Sequence, residues 1–242
     1  MQLETERLIL RSFREEDIDA MAQLFANPDF MRFSLGIYTE RKKTVDFIEK
    51  VMGWDHASIP SQFAVVPRGE DVLIGYCGFH HHPEVPGEVE IGYRLHPDYW
   101  NRGLITEAAR AVCEHAFAGL KLPRVISLVH PENIPSRRVA EKNGMKVEKE
   151  ITFRGFPTLV YAMTREAWLA RRDASLTRAP APDTPARQVR SKRIRESISQ
   201  SSAPRSTERS SGSQSRKRVH RNVFARRQRP VGQAWSAHRT SS

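Results

Sequence analysis

Apolar residues in the first 170 positions recur at two periods, one typical of helices and the other of strands. Ile18, Met21 and Phe25 lie about one helical turn apart, which predicts a helix over residues 15–26. The same spacing predicts helices over residues 44–54, 104–118, 136–143 and 165–171. Short apolar runs predict strands over residues 5–12, 62–66, 72–79, 89–95, 124–129, 145–152 and 156–163.

The order of these elements predicts a mixed sheet. The strands between residues 62 and 95 are joined by turns, which favours an antiparallel meander. Strand 89–95, helix 104–118 and strand 124–129 then follow one another, and this order requires a parallel pairing with a right-handed crossover. The predicted fold class is therefore α/β, with a mixed sheet of the α+β kind.

The charge is distributed unevenly along the chain. The net charge is +11, but residues 171–242 hold 18 Lys and Arg against 4 Asp and Glu, so residues 1–170 carry −3. Residues beyond 172 are rich in Arg, Ser and Pro, and they bury too little apolar area to offset the entropy of ordering. We predict a folded domain over residues 1–172 and a disordered basic tail over residues 173–242.

Several classes of protein are excluded by simple counts. No run of 18 apolar residues is present, which argues against a transmembrane helix, and the first ten residues do not form a secretory signal. Cys77 and Cys113 are the only cysteines, too few for a disulfide framework or a cysteine-rich zinc site. We expect a cytoplasmic protein that has reduced thiols, no metal site and no membrane association.

The segment PDYWNRGLITEA, residues 97–108, lies where a strand ends and a helix begins. Gly103 permits a close approach of the backbone, and the helix N-terminus behind it offers unpaired N–H groups with partial positive charge. Arg102 adds a cation, so the segment predicts a site for a phosphate-bearing ligand held without a metal. The residues of a Walker loop and of a dinucleotide fingerprint are absent. A glycine that serves only an ordinary turn is the alternative.

Four segments together resemble the GNAT superfamily of acetyl-coenzyme-A-dependent N-acetyltransferases, and most of all its ribosomal-protein N-terminal-alanine acetyltransferase subgroup. The resemblance covers residues 2–172, and the segments are TERLILRSF, EIGYRLHPDYWNRGLITEA, HPENIPSRRVAEKNGMK and VYAMTREAW. It implies the GNAT-like acyl-CoA N-acyltransferase fold, with acetyl-CoA as co-substrate. The residues it assigns to cofactor binding are Leu95, Trp100, Asn101, Arg102, Gly103, Leu104, Ile105, Thr106, Asn133 and Ser136.

The chain departs from the family pattern at three positions. Ile105 stands where the superfamily usually has Gly or Ala, and Trp100 replaces a common Gln or Arg. Ala140 occupies the position of the tyrosine that in many members protonates the leaving thiolate. By likeness to the subgroup, Ser136 is the candidate for this acid.

The chemistry that the resemblance implies also requires an oxyanion donor and a base. The family supplies the donor from a bulge on the strand, here predicted near residues 93–95. Glu90 and Glu88 alternate with apolar residues on strand 89–95 and are the candidate bases, unless they form only a solvated face.

Other noticeable side chains favour simpler interpretations. The triplet of residues 80–82, all histidine, is interpreted as an exposed part of a surface hairpin rather than as a metal site or a base. Trp54 and Trp168 are expected in the core, and Cys113 is expected to be a small buried hydrophobe rather than a nucleophile.

Two functions follow as hypotheses. The first is direct transfer of the acetyl group of acetyl-CoA to a primary amine, on a protein N-terminus or a small molecule, in a ternary complex. The alternative is a polyanion-binding protein, for RNA or the ribosome, that retains a GNAT-like domain only to bind the cofactor. Sixteen arginines in residues 171–242 favour phosphate contacts, but a GC-rich coding region read out of frame gives a similar composition.

We expect a chain that ends after Arg172 to keep its thermal stability and its affinity for acetyl-CoA, because residues 1–172 contain all the predicted elements. It should lose salt-sensitive retention on heparin or RNA, which residues 173–242, with a net charge of +12, provide at low salt. Thermal unfolding, calorimetry and heparin chromatography measure the three properties. Unfolding of the shortened chain, or a loss of affinity of about tenfold or more, would show that the boundary is misplaced.

Overall fold

The computed structural model describes residues 1–34, 36–53 and 59–177. Eight strands form one sheet in the order β1-β2-β3-β4-β5-β6-β8-β7. The strands are β1 (Gln2–Glu4), β2 (Leu8–Arg11), β3 (Gln62–Pro67), β4 (Gly75–His80), β5 (Glu90–Leu95), β6 (Arg124–Val129), β7 (Lys146–Phe153) and β8 (Phe156–Thr164). The helices are α1 (Ile18–Ala26), α2 (Arg41–Met52), α3 (Leu104–Glu114), α4 (Ile134–Lys142) and α5 (Arg165–Thr177).

The predicted element types agree with this architecture, and the differences lie at the boundaries. Within the strand predicted over residues 5–12, only Leu8–Arg11 is a strand, β2. It forms a hairpin with β1, whose turn is closed by hydrogen bonds between Thr5 and Leu8. The helix predicted over residues 104–118 consists of α3 and a π-helical turn over His115–Gly119. The last helix continues beyond the predicted end at residue 171, to Thr177.

The predicted antiparallel meander is confirmed. Strands β3, β4 and β5 pair in sequence, and β4 and β5 keep one register from Gly75 opposite Leu95 to His80 opposite Glu90. Because side chains alternate between the faces of a strand, this register assigns each residue of β5 to one of two layers. Ile91 and Leu95 pack against α3, whereas Tyr76 of β4 packs in a second, aromatic-rich cluster with α1 and α2.

The predicted parallel crossover is also confirmed. In the chain β5 precedes α3 and β6 follows it, and the two strands pair in parallel. Strand β8 pairs antiparallel with β6, and β7 forms the outer edge. Gly144, with φ 94°, follows the last residues of α4, as predicted for a C-terminal cap. The mixed α/β sheet of the prediction is therefore the architecture of the described domain.

Two predictions fall outside the described residues. These are the core position of Trp54 and the disorder of the tail beyond residue 177. The domain boundary at residue 172 also stays a prediction. Trp168 packs against Phe117 with ring centroids 5.6 Å apart, as expected for a residue at the core. Of the helices in the described segments, none is both long and apolar enough to cross a bilayer.

Candidate active site

Strands β5 and β6 separate shortly after they meet. Their ladder holds one Cα pair, Glu90 with Ile126, and the Ile126 amide donates to the Val89 carbonyl at 2.9 Å. Regular alternation would next join the Leu128 amide to the Ile91 carbonyl. Side chains replace both backbone partners. The Leu128 amide donates instead to Glu90 Oε1 at 3.2 Å, and the Ile91 carbonyl accepts instead from the Ser127 hydroxyl at 2.7 Å. Beyond this point a gap opens between the two strands.

The gap exposes backbone amides of β5. The N–H and C=O of one residue point to the same side of a strand, and Val89 and Ile91 direct their carbonyls toward β6. The amides of Tyr93 and Leu95 therefore also face β6, where the ladder supplies no partner among the described residues. These amides are pre-positioned donors for a developing negative charge.

The predicted bulge near residues 93–95 is wrong. The register of β4 with β5 is unbroken along the whole of β5, so no extra residue is inserted there. Free amides arise instead from the separation of β5 and β6, which leaves one side of β5 without a partner. Strand β5 therefore keeps its regular pairing with β4 and still offers N–H donors on the side of the gap.

The loop before α3 contains two residues with left-handed backbone. Asn101 has φ 60° and Gly103 has φ 77°, both left-handed, and α3 begins at Leu104. A side chain is strained at such an angle, and this explains the glycine. The amides of the first turn of α3 have no partner within the helix, so the loop and helix form an anion-binding backbone.

An ion pair braces this loop against the start of the chain. Arg7 donates to the Arg102 carbonyl at 2.9 Å and to Glu107 at 2.7 Å. Glu107 also accepts from the Thr5 hydroxyl at 2.6 Å, which ties α3 to the hairpin of β1 and β2. The Arg102 guanidinium lies 5.3 Å from the centre of the Tyr99 ring. The braced loop lies beside a groove of about 340 Å³ whose lining includes Gly103, Thr106, Arg110 and Lys142.

The other residues predicted for cofactor binding lie on both sides of the gap. Trp100 is 42% exposed, and its indole N–H donates to the Leu95 carbonyl at 2.7 Å. Ile105 is partly buried against the core and therefore supplies packing as well as its backbone. Asn133 caps α4, because its side-chain oxygen accepts from the Ser136 amide at 3.2 Å.

Ser136 lies in the first turn of α4 and contacts β5 through Tyr93. The Ser136 hydroxyl donates to the Tyr93 hydroxyl at 3.2 Å, and Tyr93 donates to the Ser136 carbonyl at 3.0 Å. Burial raises the pKa of the Tyr93 phenol well above its usual value, so this phenol stays protonated at neutral pH. Ala140 is buried one turn later on α4. The Tyr93 side chain was not identified from the sequence as part of the site. Its hydroxyl group on the core-facing side of strand β5 could have indicated such a role.

Glu90 lies on the opposite face of β5 from Tyr93, with only 12% of its side chain exposed. Its Oε2 lies 2.5 Å from His82 Nε2, and its Oε1 accepts from the Leu128 amide. Burial alone would raise the pKa of the Glu90 carboxyl. The hydrogen bonds from His82 and from the Leu128 amide are among the interactions that outweigh that effect and lower the pKa. Glu90 is therefore an ionised carboxylate held at the mouth of the gap.

Glu88 is not brought together with Glu90. It lies before β5 and forms an ion pair of 2.9 Å with Arg124, which also binds Glu148 at 2.7 Å. The role of Glu88 as a base stays a prediction, and no contact in the structure supports it. Glu90 is the candidate that the geometry favours.

The interpretation of residues 80–82 as an exposed triplet is wrong. His80 ends β4 and His82 follows it, and the two imidazoles stack 5.4 Å apart. Burial lowers the pKa of His80 to about 4, and Gln62 of β3 contacts its ring. The pattern of β4 places every second side chain on the α1–α2 face, and this alternation was the signal for a buried His80.

The remaining candidates behave as predicted from their burial. Burial raises the pKa of Cys113 to about 12 and raises that of Cys77 well above its usual value, so neither thiol is a ready nucleophile. Within residues 1–34, 36–53 and 59–177, no group of three or more His, Cys, Asp or Glu side chains is arranged to hold a metal ion.

We expect Gly103→Asp to weaken acetyl-CoA binding by about a hundredfold or more, because a carboxylate in the loop repels the diphosphate. Gly103→Asn is the matched control, since asparagine has nearly the same shape and tolerates the left-handed backbone without adding charge. Calorimetry measures both affinities, and circular dichroism checks the fold. If the aspartate variant binds as tightly as the asparagine variant, the loop does not hold the diphosphate.

Comparison with known proteins agrees with this geometry. A family model described as an acetyltransferase (GNAT) domain matches residues 7–146. The uncharacterized N-acetyltransferase YnaD of Bacillus subtilis (strain 168) is 35% identical over 177 residues, which span 69% of this chain and 99% of that protein. A GNAT-family acetyltransferase crystal structure from Bacillus anthracis is 33% identical, with a TM-score of 0.60, and 69% of this chain covers 99% of it.

The fold is also shared with a more distant protein. RimL, a ribosomal-protein α-N-acetyltransferase whose structure contains coenzyme A, has a TM-score of 0.60 at 17% identity, with 69% of this chain covering 99% of it. The family match and the similarity to YnaD both extend over the gap, the loop and α3. The chain therefore belongs to the GNAT family and is an acetyl-coenzyme-A-dependent N-acetyltransferase.

Proposed function

We propose that this protein transfers the acetyl group of acetyl-CoA directly to a primary amine, on a protein N-terminus or a small molecule, within a ternary complex. The observation that carries the proposal is the gap between β5 and β6. Free amides of β5 line it, the anion-binding loop before α3 lies at its end, and an ionised carboxylate lies at its mouth. In acetyl transfer from acetyl-CoA these features would stabilise the oxyanion, bind the diphosphate and accept the amine proton.

The loop and the gap fit acetyl-CoA as substrate. The amides from Arg102 to Thr106 would hold the diphosphate, supported by the brace of Arg7. The arm would lie in the gap, where Asn133 and Ser136 flank it on the α4 side. The Tyr93 or Leu95 amide would then stabilise the oxyanion that develops when the amine attacks the thioester carbonyl.

Glu90 would act as the base. When the amine nitrogen bonds to the carbonyl carbon, the nitrogen becomes cationic and its proton becomes acidic. The Glu90 carboxylate takes that proton, directly or through one water, and later returns it to solvent. Its contact with the Leu128 amide aims the carboxylate at the opening of the gap, which supports this assignment.

Ser136 would act as the acid. As the carbon–sulfur bond breaks, the electron pair stays on sulfur, and the Ser136 hydroxyl donates its proton to the thiolate. The Tyr93 hydroxyl accepts from Ser136 Oγ and donates to the Ser136 carbonyl, so it would turn its O–H to the serine oxygen left by this transfer, and solvent would then restore the proton. The pair compensates for the absence of a tyrosine at position 140.

The acceptor would approach from the face of the sheet that carries Glu90. On this face Gly92 lacks a side chain, which lets the His80 ring and the Glu90 carboxylate lie close over β5, since an added Cβ would be only 3.1 Å from His80 Cδ2. Arg94 donates to the carbonyls of Phe30 and Phe33 at 3.0 and 3.4 Å, and this contact ties the loop after α1 to β5. That loop borders the approach and is the place where acceptor selectivity would arise.

The function is tested with a panel of peptides with free α-amines and of small primary amines. Coenzyme A release and the mass of one added acetyl group are followed together. We expect amine-dependent release, with kcat reduced about a hundredfold in Glu90→Gln, since loss of a general base has effects of this order. Unchanged turnover in Glu90→Gln would refute the base, and binding of acetyl-CoA without acetylation of any amine would refute the acceptor class.

We expect Ser136→Ala to lower kcat about tenfold or more while the Kd for acetyl-CoA stays nearly unchanged, because protonation of the thiolate matters chiefly in the transition state. Tyr93→Phe is the companion variant, which keeps the ring and removes the second hydroxyl of the pair. Steady-state kinetics and calorimetry separate the two effects. Equal losses in kcat and affinity would make Ser136 a plain cofactor contact.

A further inference from the structure

His82 is the side chain that contacts the Glu90 carboxylate most closely. Its Nε2 lies 2.5 Å from Glu90 Oε2, and each side chain is 12% exposed. The other hydrogen bond to this carboxylate comes from the Leu128 amide, at the longer distance of 3.2 Å. A carboxylate buried to this degree depends on its donors to remain ionised.

The contacts of His82 define which ring nitrogen carries the proton. Nδ1 lies 3.5 Å from Nη2 of Arg154, and a guanidinium only donates, so Nδ1 presents its lone pair there. The proton of the neutral ring is then on Nε2, and it is directed at Glu90. Arg154 itself is held by Glu84, with Nε and Oε1 3.0 Å apart.

Packing fixes the plane of the His82 ring. The ring stacks on His80 with an interplanar angle of 11°, and it meets the Phe153 ring edge-on, with centroids 5.1 Å apart. Arg154 and Gly155 both have positive φ, 52° and 84°, so a tight turn between β7 and β8 brings Arg154 beside the imidazole. The end of β4 and the β7–β8 hairpin therefore hold the His82 ring in place from two sides.

We propose that His82 is a positioning residue, whose Nε2–H keeps the Glu90 carboxylate ionised and directed into the gap. The inference rests on the proposed role of Glu90 as the base. It adds that the base is a Glu90–His82 pair, oriented by Arg154 from the turn between β7 and β8.

The neighbouring charges agree with this assignment. His80 faces both members of the pair, and because burial lowers its pKa to about 4 it stays neutral at the working pH. Lys50 of α2 and Arg94 of β5 act on His80 at longer range and further disfavour its protonation. Arg154 and Glu84 face His82 from the outside as a mutual ion pair, so they add little net charge.

The test compares His82→Leu, which removes the donor, with His82→Gln, whose amide N–H can replace it. A buried carboxylate that loses a charge-assisted hydrogen bond should have its pKa raised by about one to two units. The acid limb of the kcat/KM profile should then move to higher pH by the same amount in His82→Leu and return to nearly wild-type in His82→Gln. Activity of His82→Leu should recover as the pH rises, because Glu90 then ionises without help.

A purely structural role predicts a different result. Loss of packing alone would lower kcat at every pH or reduce thermal stability, and it would leave the acid limb in place. If the acid limb of the kcat/KM profile lies at the same pH in the wild type and in His82→Leu, the inference is therefore overturned.

A second measurement needs no turnover. The ¹³C resonance of the Glu90 carboxyl, assigned by its absence in Glu90→Gln, is titrated in wild type, His82→Leu and His82→Gln. A raised pKa in the leucine variant alone supports the pair, even if no amine in the panel is acetylated and the proposed function fails. An unchanged carboxyl pKa, in an enzyme that does acetylate amines, overturns this inference and leaves the proposed function standing.

Discussion

The site depends on a parallel strand pair that begins and then fails to continue. Strands β5 and β6 meet at Glu90 and Ile126, after which the Glu90 carboxylate and the Ser127 hydroxyl occupy positions that backbone groups would fill in a regular ladder. The strands cannot close, because these side chains hold their hydrogen-bonding groups. On its other side β5 keeps an unbroken ladder with β4, so the free edge remains rigid. Rigidity and free amides together make a preorganised binding edge.

The same strand separates the two groups proposed to transfer protons. Successive side chains of β5 point to opposite faces, so Glu90 contacts the histidines on the α1–α2 face while Tyr93 contacts Ser136 on the α3–α4 face. A base and an acid on opposite faces do not neutralise each other. In the proposed reaction each would serve its own substrate group, the incoming amine or the departing thiolate, from opposite faces of β5.

Arginine side chains around the site, two of them in ion pairs, hold loops rather than supply stability. Arg7 joins Glu107 and the loop before α3, and Arg94 holds the loop after α1. Arg124 holds Glu88 away from the site. Exposed pairs of this kind contribute about 0–1 kcal/mol each, so their effect lies in the placement of backbone segments that have little packing of their own.

The amino-acid sequence by itself determined the element types, the meander and the parallel crossover, because the periodicity of apolar residues and the order of the elements can be read directly from the chain. Tertiary structure alone decided which carboxylate meets the gap, since Glu88 and Glu90 share the same alternation and differ only in their partners from distant segments. It also decided that free amides come from strand separation rather than a bulge, and that His82 is buried beside Glu90. Those outcomes depend on β6 and the β7–β8 turn, which lie far away in the sequence and reach the site only through the fold.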